Sequence, residues 1–428
     1  MSPETEFSID ALPVSARRHV RVFQAHQFLD RFAMGLTVAV VALALSDRGM
    51  DLFQIAQLFS VYALTTMAME LPFGGLADTL GRKPVFLVAV VASLISLVLF
   101  LSTRDFYVLA LSFAFIGLGR ALRSGTLDAW FLEAFKLGAP HVDVQPALAR
   151  AQAAGALGLA SGALLGGLLP DLFGSGAQRL GFGPYDVSYA ASVAVMLGVF
   201  VFTFLFIVET PRPRGAPALV ESFAGLPALI KDAGRLALRH RALSVLLAAL
   251  ACFLMATNPV EVLWPTHAKP MLEASYANTA IGFLTAAYFL SIAFGASISP
   301  YVSRLFRRRQ EITLAAAFAC LSGLQIALAL QEGIIGFAAA FILYSVVLGL
   351  AETPASTILH RCVADSQRST MLSLRSLVQQ LGGAIGLVLA GAIADMYSAP
   401  IAWMVISVFL AVAVILVGVL ALRLSAKG

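Results

Sequence analysis

Charge is what this chain has least of. Of its 428 residues only 12% are Asp, Glu, Lys or Arg, while 59% are hydrophobic, and the mean hydropathy is +0.87. Soluble domains carry about 25% charged residues, so most of this chain cannot be surfaced by water. Cysteine is scarce as well: Cys252, Cys320 and Cys362 are three in number and fall in or beside apolar segments, which excludes a disulfide framework. None of the five lysines is followed by Ser or Thr, so there is no phosphate-cradling G-x-x-x-x-G-K-(S/T) loop and the chain alone cannot hydrolyse ATP. The six histidines show no H-E-x-x-H or other metal-ligand spacing. Nothing in the sequence points to an enzyme, a metal or a cofactor.

What is present is a succession of apolar runs, each long enough to cross a bilayer as a helix. Twelve are predicted, near 22–45, 53–77, 84–102, 106–131, 146–169, 186–208, 243–266, 279–301, 312–330, 334–358, 372–394 and 400–422. Helices are expected because hydrocarbon leaves no partner for an unpaired backbone group. The first twenty residues are polar and carry no cleavable leader pattern, so the first span is expected to direct insertion.

Net charge is +5, and its distribution is more informative than its sum. With a cytoplasmic N-terminus, 22 of the 29 Lys and Arg fall on the cytoplasmic side, while Arg48, Arg104, Arg179 and Lys269 face the other way and Arg31, Arg120 and Arg123 lie inside spans. That asymmetry predicts a multi-pass protein of the cell membrane with both termini cytoplasmic. Basic residues scattered over short loops argue against nucleic acid as a partner. The expected partners are the lipid bilayer, a small-molecule substrate and protons, with the chain acting as a monomer.

The longest polar break, 209–242, divides the spans six and six. Three prolines early in it prevent a continuous helix. Leu219, Phe223, Leu226 and Ile230, followed by Lys231, Arg235 and Arg239, predict an interfacial amphipathic helix on an anionic leaflet. The expected organisation is a tail (1–20), a six-helix bundle (21–208), this linker (209–242), a second six-helix bundle (243–423) and a short tail (424–428). The halves read as repeats. A shift of 225 places Leu80, Arg82 and Lys83 on Leu305, Arg307 and Arg308, and shifts of 230 and 224 place Gly119 on Gly349 and Asp171 on Asp395. Two bundles around a midplane site form a secondary-transporter architecture.

Between the second and third spans stands "GGLADTLGRK". Gly74 permits close helix approach, Gly81 a tight turn, and Pro84 suits a first helical turn. Asp78 is placed to accept hydrogen bonds from Arg82 or from a helix N-terminus. With Gly74, Asp78, Gly81, Arg82 and Lys83 in register, the segment resembles the loop signature of the major facilitator superfamily, G-x-x-x-D-(R/K)-x-G-(R/K)-(R/K), except that Thr79 stands at a usually basic position. The resemblance extends over nearly the whole chain. It implies an all-α membrane protein of twelve helices in two bundles, with Asp78 latching the cytoplasmic side against the eleventh span.

Charged residues inside spans are costly, about 2.5–3.5 kcal/mol each at the bilayer centre, and are functional candidates for that reason. Glu70 lies about 12 Å of helix above Asp78, so it requires a water-filled cavity, a partner or a proton. Asp30 and Arg31 sit in the first span; Arg120, Arg123 and Asp128 sit in the fourth, with Arg123 and Asp128 as one possible structural pair. In the superfamily the first and fourth spans line the N-terminal half of the cavity, which places Asp30 within reach of Arg120. Glu261, Glu352 and Gln379, with Gln380 beside it, are the cavity candidates of the second half. Gly158, Gly162, Gly166 and Gly167 in "GLASGALLGG" resemble the superfamily's antiporter signature, although Ala163 replaces its proline; small residues at this spacing also serve plain helix packing.

The resulting expectation is a secondary transporter that exports a small amphipathic compound in exchange for protons. The alternatives are a proton-coupled importer of a metabolite, and a membrane receptor or scaffold that keeps the fold without transport.

Overall fold

In the computed structural model the apolar runs are helices. The structure describes residues 12–73, 76–209, 235, 241–363 and 368–425. Twelve helical spans are long and apolar enough to cross a membrane. The first half contributes Val14–Asp47, Leu52–Phe73, Arg82–Ser102, Phe106–Gly138, Gln145–Arg179 and Asp186–Phe206. The second contributes Arg241–Ala268, Ala277–Leu305, Gln310–Ala329, Ile334–Cys362, Arg368–Met396 and Ala399–Ser425. The first span begins at Val14 rather than near 22, and the fifth runs on to Arg179 rather than 169, because polar residues at helix ends reach into the interfacial layer without breaking the helix. The interfacial helix expected within 209–242 lies, apart from Arg235, outside the described residues.

Two spans are interrupted. The first divides into Val14–Val38 and Val41–Asp47. The fourth divides into Phe106–Arg123 and Thr126–Gly138, with Gly125 between them at φ +67°, a left-handed conformation that glycine adopts without a Cβ penalty. Pro259, Pro265, Pro300 and Pro354 lie inside helices, as membrane-spanning helices tolerate.

Within the first half, the first span packs on the fifth and sixth, the second on the fourth, and the third on the sixth. Within the second half the seventh packs on the eleventh and twelfth, the eighth on the tenth, and the ninth on the twelfth. Adding six to each number converts one set into the other, so the halves are structural repeats. They meet along two seams, second span on eleventh and fifth on eighth, which the same relation exchanges.

Glycine sets how closely these helices approach. A Cβ on Gly158, Gly162 or Gly166 of the fifth span would strike the carbonyl oxygen of Phe28, Phe32 or Leu36 of the first, residues spaced by the same four. Gly382 and Gly386 meet the carbonyls of Ala251 and Met255 in the repeat-related pair of spans. The row that resembles an antiporter signature is therefore a packing seam at these three glycines. Gly167 differs, since it lies against Asn278 and Gly282 of the eighth span, across the boundary between bundles.

With twelve spans, both ends of the described chain emerge on one face, here called inner; the opposite face is outer.

A charged site between the bundles

Arg120, near the end of the first segment of the fourth span, is exposed although the helix around it is apolar. Its Nη1 donates to the Tyr62 hydroxyl at 2.8 Å, and its guanidinium lies 5.8 Å from the Tyr62 ring centroid. Two carboxylates act on it electrostatically: Glu70 of the second span and Glu261 of the seventh. Glu261 belongs to the other bundle, is itself exposed, and faces the Tyr288 hydroxyl. Solvent-accessible charges of opposite sign that interact across the bundle boundary define a polar cavity between the halves. Tyr288 and Tyr344 are buried beside Glu261, and the Tyr344 hydroxyl has no hydrogen-bond partner.

Glu70 accepts a hydrogen bond of 2.7 Å from Ser376 of the eleventh span. Of the three ways to accommodate a carboxylate in a span, the structure supplies a partner from the other bundle. Further along the same seam Ser60 donates to the Ala384 carbonyl at 3.2 Å.

Asp30 pairs with Arg123 at 3.3 Å rather than with Arg120. Asp30 is buried and Arg123 partly so, and Arg123 also donates to Ser93 at 2.9 Å, so the pair ties the first, third and fourth spans inside one bundle. Arg120 and Arg123 are three residues apart, and the bundle wall separates their side chains: one faces the cavity and the other the bundle core. Arg123 and Asp128 do not pair either, because the break at Ser124–Gly125 removes the continuous helical face that would have joined them. Asp128 instead accepts from Gln27 at 3.3 Å and lies near Arg31, both of the first span.

In the second half Glu352 pairs with Arg375 at 2.5 Å, and Arg375 Nε donates to Gln379 at 3.0 Å. The Glu352 side chain remains 59% exposed, whereas that of Arg375 is 9% exposed. Arg375, within the eleventh span predicted at 372–394, lies inside that helix with an acidic partner on the tenth.

Gly74 lies outside the described residues, as does the side chain of Asp78, whose backbone belongs to the short helix Leu76–Leu80. The rest of the signature is explicit. Gly81 adopts φ +95°. The backbone amides of Arg82 and Lys83, which open the third span, donate to Glu209 at 2.8 and 3.0 Å. Arg82 pairs with Glu133 of the fourth span at 2.7 Å, and Lys83 Nζ donates to the Phe204 carbonyl at 2.7 Å. The loop thus fastens the inner ends of the third, fourth and sixth spans, and the anion at the helix N-terminus is Glu209.

Sequence reasoning missed several groups. His26 is buried in the first bundle, bonded to Thr203 at 3.1 Å and close to Asp30 and Arg123. Tyr62, Tyr288 and Ser376 carry no charge to separate them from other span residues. On the outer face, Asp171 of the fifth span accepts from Asn278 Nδ2, Thr279 N and Thr279 Oγ1, each at 2.7 Å. Those donors open the eighth span, so Asp171 caps a helix of the opposite bundle. Tyr185 donates to Asn278 at 3.1 Å and accepts from Lys269. Burial, with the charges of Asp47 and Asp171, raises the Tyr185 hydroxyl far above its ordinary pKa and keeps it a donor. Among the described residues no group of three or more His, Cys, Asp or Glu is placed to hold a metal.

Known proteins bear on this arrangement in two ways. Several solved structures share the fold. A nucleoside transporter, NupG, has TM-score 0.76 at 13% identity, covering 94% of this chain and 98% of its own. A bacterial homologue of the human lysosomal transporter Spinster, in an inward-facing and unoccupied conformation, has TM-score 0.75 at 14% identity, covering 95% and 97%. A peptide transporter POT in complex with sulfate has TM-score 0.70 at 17% identity, covering 96% and 94%. Identities this low carry the fold and nothing about cargo. A search of curated proteins finds no match. The family model of the Major Facilitator Superfamily matches residues 26–275 and again 266–427, which together span most of the chain. The chain therefore belongs to the major facilitator superfamily, as a multi-pass membrane protein of the transporter type.

Proposed function

We propose that this protein is a proton-coupled exporter of a small amphipathic compound, working by alternating access between two six-helix bundles. The observation that carries the reading is Arg120 held between Glu70 and Glu261, with charges from both bundles converging on one accessible space. Rocking the bundles changes the distance of Glu261 from Arg120, and with it the charge balance around any bound molecule. Asp30, paired with Arg123 behind the cavity wall, is the coupling residue in this reading, and Glu70 takes that role if Asp30 does not. The inner face is cytoplasmic, the chain acts as a monomer, and the substrate lies against Tyr62, Tyr288 and the charged trio. Direction rests on the likeness of the fifth-span glycines to the antiporter signature, of which only Gly167 faces the other bundle.

The test begins with a thermal-stabilisation screen of the purified transporter, which names a ligand. That ligand is then followed in proteoliposomes carrying a pH gradient. Movement against its own gradient, driven by protons moving the opposite way, bears out the exporter. Movement with protons in the same direction makes the protein an importer, and binding without movement makes it a receptor.

A further inference from the structure

Arg304 in the last helical turn of the eighth span and Arg307, Arg308 and Arg309 in the turn that follows are all exposed. None of the four has an ion-pair partner among the described residues. The contrast with the repeat-related loop is informative. There, Arg82 and Lys83 are absorbed by Glu133, Glu209 and the Phe204 carbonyl. Here Glu311, early in the ninth span, has a largely buried side chain and is engaged by Arg361 at 3.9 Å.

The backbone adds a second observation. Arg307 and Arg308 adopt φ +52° and +60°, and they are the only non-glycine residues with positive φ among those described. L-residues are strained there and glycine is not. The turn itself is closed by backbone bonds, Arg308 N to the Ser303 carbonyl at 2.7 Å among them, and needs no arginine. The guanidinium groups account for the choice of residue.

The third observation is what leads to them. Phe283, Leu290, Phe294, Tyr301 and Leu305 are exposed along one side of the eighth span, at spacings of seven, four, seven and four residues. This is a continuous apolar stripe at helical period, and it ends at the arginine turn. The Arg304 guanidinium lies 5.2 Å from the Tyr301 ring centroid, level with the last lipid-facing ring. Apolar surface long enough for an acyl chain, ending in guanidinium groups that have no ion-pair partner among the described residues, is the complement of an acidic phospholipid: tails on the stripe, phosphate on the fork-shaped donors.

We propose that Arg304, Arg307 and Arg308 form a binding site for the headgroup of an anionic phospholipid in the inner-face leaflet. The site is separate from the cavity and does not depend on the cargo or its direction.

The test uses the full-length transporter in neutral detergent, with phosphatidylglycerol, phosphatidylcholine or inorganic phosphate as the added probe. Lipid retention is read by native mass spectrometry and stability by thermal unfolding. Phosphatidylglycerol is expected to be retained and to raise the melting temperature, while phosphatidylcholine and inorganic phosphate do neither. Removing guanidinium groups by Arg304→Gln, Arg307→Gln and Arg308→Gln should weaken retention about fivefold per residue and about a hundredfold together. Arg104→Gln with Arg179→Gln, on the outer face, should leave it unchanged. Arg307→Gly with Arg308→Gly relieves the backbone and should raise the lipid-free melting temperature while lowering lipid retention, a pair of opposite changes that a purely structural turn does not produce. Full retention of phosphatidylglycerol by the triple glutamine variant or by the double glycine variant overturns the proposal. Displacement of the lipid by inorganic phosphate would reassign the site to a free anion.

Discussion

The Asp30 carboxylate lies 3.3 Å from Arg123 Nε, yet neither Asp30 Oδ1 nor Arg123 Nε is hydrogen-bonded. The pair sits in a bundle core where His26, Ser93 and Thr203 supply further polar groups and Met196 accepts from the Arg123 guanidinium. Removing one partner strands the other, which costs about 3–5 kcal/mol for a buried ion. Arg123→Ala is therefore expected to lower unfolding stability by about that amount, and adding Asp30→Asn to it should restore most of the loss. Asp30→Asn alone should fold, exchange substrate at equal pH, and fail to concentrate it against a gradient. Accumulation by Asp30→Asn at the parent level would move the coupling role to Glu70.

Arg120 and Glu261 belong to opposite bundles, so their contributions should separate by variant. Arg120→Ala removes the cavity's central cation and a charge-assisted hydrogen bond, worth about 1.5–3 kcal/mol, or about 10- to 150-fold in ligand affinity. Tyr62→Phe takes away the acceptor of that same bond but leaves the cation free to meet the ligand, so its expected effect on affinity is smaller, about 0.5–1.5 kcal/mol. Isothermal titration with the stabilising ligand reads both. Equal losses in the two variants would mean that Arg120 only props Tyr62.

The fold was legible because hydrocarbon permits few solutions. Runs of about twenty apolar residues become helices, and charge asymmetry orders the loops, so span number and sequence order follow from composition. Helix ends were less legible: Val14 to Arg21 carry charge, yet the helix persists through them. The site was half legible. Asp30, Glu70, Arg120, Arg123, Glu261 and Glu352 stand out as charges in apolar surroundings, but partner choice does not follow from spacing. Asp30 finds Arg123 rather than Arg120 because side chains three residues apart can lie on either side of a bundle wall. Asp128 turns to the first span because one left-handed glycine, Gly125, ends the helix that would have presented it to Arg123. Tyr62, Tyr288 and Ser376 gave no signal, since an uncharged polar group in a span reads like any other until its neighbour is known.

At the inner end of the first bundle, Glu209 caps the third span and Gly81 stands next to it. A Cβ on Gly81 would approach Glu209 Oε2 to 3.0 Å and Pro84 Cδ to 3.3 Å, at a φ of +95°. Glu209→Ala should lower stability by about 1 kcal/mol through loss of the cap. Gly81→Ala should lower it by about 1–2 kcal/mol through backbone strain and pressure on the same carboxylate. Because the two act on one contact, the double variant should cost less than the sum of the singles. Strict additivity in a denaturant-unfolding cycle would separate the turn from the cap.

On the outer face, one carboxylate spans the two bundles. Asp171 receives three donors from the first turn of the eighth span, and beneath it Gly167 and Gly282 bring the fifth and eighth spans into backbone contact. When the outer side opens, these spans must part, so the bonds that Asp171 makes across the boundary favour the outer-closed arrangement more than the folding of either bundle. Asp171→Asn keeps the shape but removes the charge, and it replaces one acceptor oxygen with an amide that faces a donor. The expected loss is about 1.5–3 kcal/mol, enough to multiply the outer-open to outer-closed ratio by about 10- to 150-fold. Spin labels at Arg179 and Glu273, both exposed at the outer face, should report a longer distance in the variant, while the melting temperature stays near that of the parent. Gly167→Leu wedges the same seam without touching a charge and should lengthen the distance in the same way. A variant that melts earlier with its distance unchanged would make Asp171 a brace for the fold, with no part in opening.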